Sequence, residues 1–447
     1  MRKKFSKKQK HILRLVRRAT VVLFCLFMGI GTITGLMLPA RPKTSAIEKR
    51  ELTAFPAFTM KSFLDGSWFS QISLWYSDSY PGRDQFVAMN NTLQKAKGFQ
   101  QKEMVIGGGK ADEIGGKKKD KDSEEDGKGF DERKEAPDVN VLQDDIQGQI
   151  MEGLLVKDGA AYGGYYFAQE AYDLYTSALE RGAKELEGTT NVYSILVPNN
   201  SSIMLDDETY KKLSGSDQKQ AIDYYYTNYS DLVHPVGTFD VLKSHNDENI
   251  YFKTDHHWTP LGAYYVYQSF CKTKGIEPVD KDELEYFKYE PFYGSYTSML
   301  PGVELSPDVF EGWVPKGGNN MRVFNDLSGD PNSTDYYETF VVDPNEGIDQ
   351  YNHYMRLISG DLPFVMIDNE EIDDGSSCLL IKESYGNAFA PWLVNNYDKV
   401  YVMDLRYSDI PIVTFCKDNN VTDLIIMNNI QLGGALSVCE MLDSRMH

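Results

Sequence analysis

Four short apolar runs between residues 191 and 429 limit most tightly what this chain can fold into. They are "NVYSILVPNN" (191–200), "CLLIKESYGNAF" (378–389), "KVYVMDLRY" (399–407) and "VTDLIIMNN" (421–429). Short continuous apolar runs bounded by turn residues read as strands buried on both faces. Helix-length segments lie among them, including "GGYYFAQEAYDLYTSALERGAKEL" (163–186) and "SDQKQAIDYYYTNYS" (216–230). "GLLVKDGAAY" (153–162) reads as a strand and turn, "VHPVGTFDVLKSH" (233–245) as a strand entry and helix, and "IYFK" (250–253) as a strand. Strands alternating with helices predict an α/β domain over residues 139–447, with a mostly parallel sheet and helices on both faces. No internal repeat is visible.

The N-terminus has a different character. Residues 1–18 hold nine Lys or Arg and no acid, and residues 19–38 ("ATVVLFCLFMGIGTITGLML") carry no charge. Twenty residues at about 1.5 Å each span a bilayer core of about 30 Å. The basic flank puts residues 1–18 in the cytoplasm and the rest outside. A cleavable signal peptide is the competing reading. Its apolar region is normally about 7–15 residues, and "LPA" before Arg41 makes a poor small-x-small cleavage site. The expectation is one N-terminal transmembrane helix carrying an extracellular domain.

Residues 44–106 place Phe63, Trp68, Phe69, Ile72, Trp75 and Tyr76 at helical spacing, as in an amphipathic segment that packs on the main domain. Residues 107–138 are Gly, Lys and acid with almost nothing apolar, which predicts a disordered loop. The formal net charge is −20 over the whole chain, and more negative once the basic tail is set aside. That excludes nucleic acid and anionic lipid surfaces as natural partners. Of five cysteines, Cys25 falls in the apolar run, while Cys271, Cys378, Cys416 and Cys439 are scattered without a CxxC. Neither a disulfide framework nor a zinc-finger spacing results, and one bridge or four free thiols are both compatible with the pattern.

The chemistry concentrates in "TDHHWTPLGAYYVYQ" (254–268), since only seven histidines occur in the chain. Thr259-Pro260 is a strong helix start, with Thr as N-cap and Pro at the first helical position. Asp255 to Trp258 then lie on the extended segment before it. On such a segment Asp255 and His257 share a face and His256 points to the other. A carboxylate beside an imidazole fixes the tautomer and stabilises the imidazolium, which is the base half of a nucleophilic triad. Ser384 in "LLIKESYGNAF" is the candidate nucleophile. It lies on a turn between an apolar strand and a helix, where neighbouring backbone N–H groups point outward to stabilise an oxyanion. Two other readings remain open: a purely structural Asp255–His257 pair, and a metal site. Adjacent histidines point apart in regular structure, which disfavours shared metal ligation, so no metal is expected.

"TDHHWT" with "KESYGNAFAPWL" and "VMDLRY", and "EKRELTAFP" and "YSDSYPGRD" near the N-terminus, resemble the DHHW family of bacterial extracytoplasmic proteins. That family resembles the alginate O-acetylation proteins, whose Ser-His-Asp domain is a variant of the SGNH hydrolase fold. The resemblance spans roughly residues 44–430 apart from the 107–138 insertion. It implies an SGNH-like domain with Asp255 and His257 as the base pair and Ser384 as the nucleophile. The order is reversed from SGNH hydrolases, which place the serine first in a G-D-S block; here Glu383 precedes Ser384. For the oxyanion and substrate, the candidates are Asn387, alternatively an N-cap, and Gly294 and Ser295, alternatively an ordinary turn. Arg406 is a further candidate, alternatively a partner of Asp404, and Tyr385 is expected to line the pocket. His234 and His353 read as surface or packing residues.

The function implied is a membrane-anchored O-acetyltransferase acting on a cell-surface or secreted polysaccharide through an acetyl-serine. No cofactor is expected, and an integral membrane O-acyltransferase partner would hand over the acetyl group. A carbohydrate esterase with the same triad, or a non-catalytic polysaccharide-binding scaffold, are the alternatives.

Overall fold

The apolar runs pair into one eight-stranded sheet. Its strands are β1 (Asn191–Val197), β2 (Val233–Pro235), β3 (Asn320–Phe324), β4 (Tyr336–Phe340), β5 (Phe364–Asp368), β6 (Ser377–Lys382), β7 (Lys399–Asp404) and β8 (Asp423–Asn429). They lie in the order β4-β3-β5-β7-β6-β8-β1-β2. From β7 to β2 every pairing is parallel. β5, β3 and β4 extend the sheet antiparallel beyond β7. The architecture is therefore mixed α/β, with a parallel centre as expected and an antiparallel wing that the sequence patterns did not announce. The computed structural model describes residues 130–140, 149–151, 154–300, 302–326 and 328–447, with a few isolated positions and two short strands between residues 41 and 80.

Helices cover both faces: α1 (Gln169–Glu185), α2 (Gln218–Thr227), α3 (Pro260–Lys274), α4 (Gly386–Leu393), α5 (Ile412–Asp418) and α6 (Leu436–Arg445). Leu380 of β6 lies level with Val402 and Ile425. These three share one core with Phe270 of α3 and Phe389 of α4. Leu379, one residue earlier, lies level with Tyr401 and Leu424 and enters the opposite core, with Tyr175, Tyr225, Phe415 and Leu442. Each such fully buried side chain contributes about 1.5–3 kcal/mol of hydrophobic free energy. Alternation across a strand that is apolar on both faces thus builds two cores from one run of sequence.

α3 begins as its sequence predicts: Thr259 Oγ1 accepts the Gly262 N–H at 3.1 Å, Pro260 occupies the first turn, and Gly275 closes the helix at φ 79°. "IYFK" does not form a strand; only Tyr251 pairs, in an isolated bridge with Trp258. A separate antiparallel hairpin, Glu285–Phe292 with Asp308–Val314, packs on the α3 face and supplies Phe292 and Phe310 to that core.

The chain divides into two compact units, Met1–Gln101 and Lys102–His447. In the first, Trp68, Ile72, Trp75 and Tyr76 are helical, and the Arg41 guanidinium lies 3.9 Å over the Trp75 ring. The expected transmembrane run 19–38 and basic tail 1–18 lie outside the described residues. Among those described, no helix is long and apolar enough to cross a membrane. Residues 107–129 of the low-complexity stretch are likewise outside them. Its last residues are described, and they bond to α2. Arg133 N–H donates to Thr227 Oγ1 at 2.8 Å, and Asp138 N–H to Gln220 Oε1 at 2.9 Å. Cys271, Cys378, Cys416 and Cys439 are free and buried.

Candidate active site

Ser384 stands two residues past the end of β6 and two before α4, at the carboxyl edge of the parallel strands. In open parallel sheets this edge is where ligand crevices form. A loop running back toward it carries the histidines. Thr259 N–H donates to Ile250 O at 3.0 Å and Phe252 N–H to His257 O at 3.3 Å, so residues 250–259 fold back on themselves. Buried Asp308, from the hairpin, anchors the loop by accepting from Lys253 N–H and Thr254 N–H at 2.8 Å each and from the Thr254 hydroxyl at 2.5 Å.

This brings together residues 127 apart in sequence. The Ser384 hydroxyl lies 2.7 Å from His257 Nε2. His257 Nδ1 lies 2.6 Å from Asp255 Oδ1, which also accepts the His257 backbone N–H at 3.0 Å. With Nδ1 protonated toward the carboxylate, the Nε2 lone pair is free to accept the serine proton. Asp255 Oδ2 accepts the Ser295 N–H at 2.7 Å. Burial opposes ionisation of Asp255, but His257, His256 and these N–H groups outweigh it and hold the carboxyl well below its usual range. The Asp255 and His257 side chains are 7% and 8% exposed. The Tyr354 ring stacks on His257 at 3.9 Å, and its hydroxyl donates to Ser384 O at 2.9 Å. Loop and turn are also joined by Trp258 Nε1–H to Tyr385 O at 2.9 Å and Tyr385 O–H to His256 O at 2.5 Å.

His256 departs from the extended geometry expected of it. The folded-back loop brings its ring to 3.8 Å from that of His257 instead of turning it to the opposite face. Its Nδ1 lies 2.7 Å from Ser295 Oγ. The side chain remains 46% exposed. Even so, desolvation in the crowded cleft, and then the neighbouring His257, pull its pKa down to about 4.

The other candidates take different places. Asn387 is not the N-cap of α4. It is buried, accepts from Lys382 Nζ at 2.6 Å and donates to Asp361 Oδ1 at 2.9 Å, while Tyr385 holds the cap position. Gly294 and Ser295 serve the base pair instead of an oxyanion: the Gly294 N–H donates to Thr254 Oγ1 at 2.9 Å, and the Ser295 N–H goes to Asp255. Arg406 pairs with Asp404 and with Asp361, at 2.6 and 2.8 Å. Tyr385 is buried beside His257, its ring 5.4 Å away. His353 packs among Tyr289, Phe292 and Phe310, and His234 beside Tyr193.

Two further residues carry weight. Glu383 is buried; its Oε1 accepts the Asn429 N–H at 2.8 Å, and its Oε2 accepts the Tyr385 N–H at 3.1 Å and faces Ser384 Oγ at 3.2 Å. Burial raises its pKa, against the pull of those N–H groups. Glu383 thus engages the N–H after the serine, while the Ser384 N–H takes no acceptor among the described residues. Tyr354, from a single 3₁₀ turn, had no signal in the sequence. Among the described residues Asp255, His256 and His257 also bring ligand atoms within 4.8 Å of one another. A cation there would displace the His257–Asp255 or His257–Ser384 hydrogen bond.

By sequence no curated protein matches the chain. Among solved structures, a DHHW family protein from Eubacterium siraeum is similar at a TM-score of 0.59 and 24% identity, over 67% of this chain and 98% of that one. Bacillus cereus PatB1 is similar at a TM-score of 0.53 and 18% identity, over 63% of this chain and 96% of that one. The O-acetyltransferase domain of Pseudomonas putida AlgJ shows a weaker likeness, with a TM-score of 0.36 at 13% identity over 66% and 99% of the two chains. The family model described as DHHW protein matches residues 48–133 and 136–403, taking in both the histidine loop and the serine turn, and the chain belongs to the DHHW family.

Proposed function

We propose that this protein is an O-acyltransferase that acetylates a polysaccharide through an acyl-serine on Ser384. The observation that carries the reading is the hydrogen-bonded chain Ser384–His257–Asp255 at the carboxyl edge of the sheet. In the first half-reaction Ser384 Oγ attacks the donor carbonyl as His257 Nε2 takes its proton, and Asp255 holds the imidazolium through Nδ1. The developing oxyanion is met by the Ser384 N–H. His257 then gives its proton to the leaving group, and the acyl group stays on Oγ as an ester. In the second half-reaction a sugar hydroxyl loses its proton to His257 and attacks that ester, and the proton returns to Ser384. Water in place of the sugar makes the same machinery an esterase.

The acetyl group and the polysaccharide come from the likeness of the motifs to the alginate O-acetylation proteins. An uncleaved N-terminal anchor, an extracellular domain and an integral membrane O-acyltransferase as donor complete the proposal. They are consistent with the uncharged run 19–38 behind its basic flank.

The test is the full chain in detergent with 4-nitrophenyl acetate, beside Ser384→Ala and His257→Ala. We expect a burst of nitrophenolate from the wild type and a fall of at least about 10³-fold in both variants. A mass increase of one acetyl group on Ser384 should appear in quenched samples. Equal rates in all three proteins would leave the scaffold reading instead.

A further inference from the structure

The half-reactions above use His257, Asp255 and Ser384, and leave His256 without work. Of the three residues Asp255, His256 and His257, it is the one that faces solvent, with 46% of its side chain exposed against 7% and 8%. It is nevertheless ordered: Ser295 Oγ holds Nδ1, and Tyr385 holds the backbone carbonyl. The same Ser295 also orients Asp255 through its N–H, so His256 and the base pair are set by one turn. Its Nε2 takes no hydrogen bond among the described residues. The two imidazole rings lie 3.8 Å apart, so the exposed ring stands directly beside that of the base.

We infer that His256 is the acceptor-positioning residue, holding a sugar hydroxyl against His257 Nε2 while the acyl-serine is discharged; this rests on the acyl-serine reading above. The chemistry suits a hydroxyl. A neutral imidazole whose Nδ1 accepts the Ser295 hydroxyl carries its proton on Nε2, where it donates to the sugar oxygen and leaves that hydroxyl's one proton for His257. The low pKa keeps the ring uncharged at neutral pH. In the step itself, the bond from the acyl carbon to Ser384 Oγ breaks and one to the sugar oxygen forms. The sugar proton passes to His257 and then to Ser384 Oγ, and His256 keeps its own proton throughout. Water can make the same hydrogen bonds, but it is small enough to reach His257 in many poses, whereas a sugar hydroxyl must be held in one. Loss of His256 therefore costs transfer more than hydrolysis.

The experiment uses the full chain in detergent, 4-nitrophenyl acetate as donor, and cellopentaose, maltopentaose and chitopentaose as acceptors. Nitrophenolate reports acylation, free acetate reports hydrolysis, and acetylated sugar reports transfer. For His256→Ala we expect the ratio of transfer to hydrolysis to fall about tenfold, the worth of one hydrogen bond, with acylation falling much less. His256→Gln, which keeps a donor and an acceptor, should recover part of the ratio. An unchanged ratio in both variants, equal losses of acylation and transfer, or a wild type that acetylates none of the three sugars overturns the assignment. Absence of a nitrophenolate burst from the wild type overturns the acyl-serine reading itself, so the two failures are told apart.

Discussion

Gly294 leaves no room for a methyl group: an added Cβ would lie 2.2 Å from Asp255 Cβ and 2.3 Å from Oδ2. Gly294→Ala must therefore push Asp255 off His257. We expect about 1–3 kcal/mol of lost stability by urea unfolding and a larger proportional loss of acetyl-ester cleavage. Asp255→Asn keeps the shape but removes the charge and frees the wrong tautomer, which should lower turnover by about 10³-fold or more with little change in KM. His256 has a consequence for pH. Its folded pKa, about 4, lies below the ordinary 6.5, so the unfolded chain binds the extra proton between those values. Stability should then decline as pH drops through that window, and His256→Gln should flatten the slope in urea titrations run across it. At this scale Asp255, His257 and Ser384 were legible in sequence, because D-x-H and a strand-to-helix serine are local patterns. Tyr354 and the Ser295–Asp255 bond were not, because they depend on a hairpin and a 3₁₀ turn arriving from elsewhere. The position of His256 was misread because a folded-back loop does not alternate its side chains.

Between β6 and α4 the serine turn rests on an ion cluster. Lys382 Nζ is fully buried, 3.2 Å from Asp404 and 2.6 Å from Asn387, and Arg406 closes the cluster over Asp404 and Asp361. Removing one member of a buried pair costs about 3–5 kcal/mol. Arg406 still partners Asp404, so Lys382→Met should cost about 3 kcal/mol, at the low end of that range. Because the turn would loosen with it, Ser384 should also label more slowly with a sulfonyl fluoride. The elements on either side were readable from their apolar runs and from Thr259-Pro260. β3, β4 and β5 were not. β3 and β5 are only five residues each, and β4 exposes Tyr336, Tyr337 and Phe340, so no alternation marks an inner face.

Across the whole molecule, Cys271, Cys378, Cys416 and Cys439 are spread over both sheet faces and each is buried, with burial raising its thiol pKa. Such thiols are inert. We expect none of these four to react rapidly with Ellman's reagent in the native protein, all four to react in guanidinium, and the melting temperature to be indifferent to reductant. The α/β class was legible because parallel strands buried on both faces need apolar residues at every position. The antiparallel wing needs them on fewer and left a weaker trace. The strand order has a further consequence, for synthesis. β6, which delivers Ser384, is hydrogen-bonded between β7 and β8, and both are made after it. A growing chain can close the Asp255–His257 loop long before its serine has a seat, and the seat exists only once residue 429 has been added. The two halves of the site thus mature at different times, and any product that stops short of β8 carries a formed base and a serine without its seat.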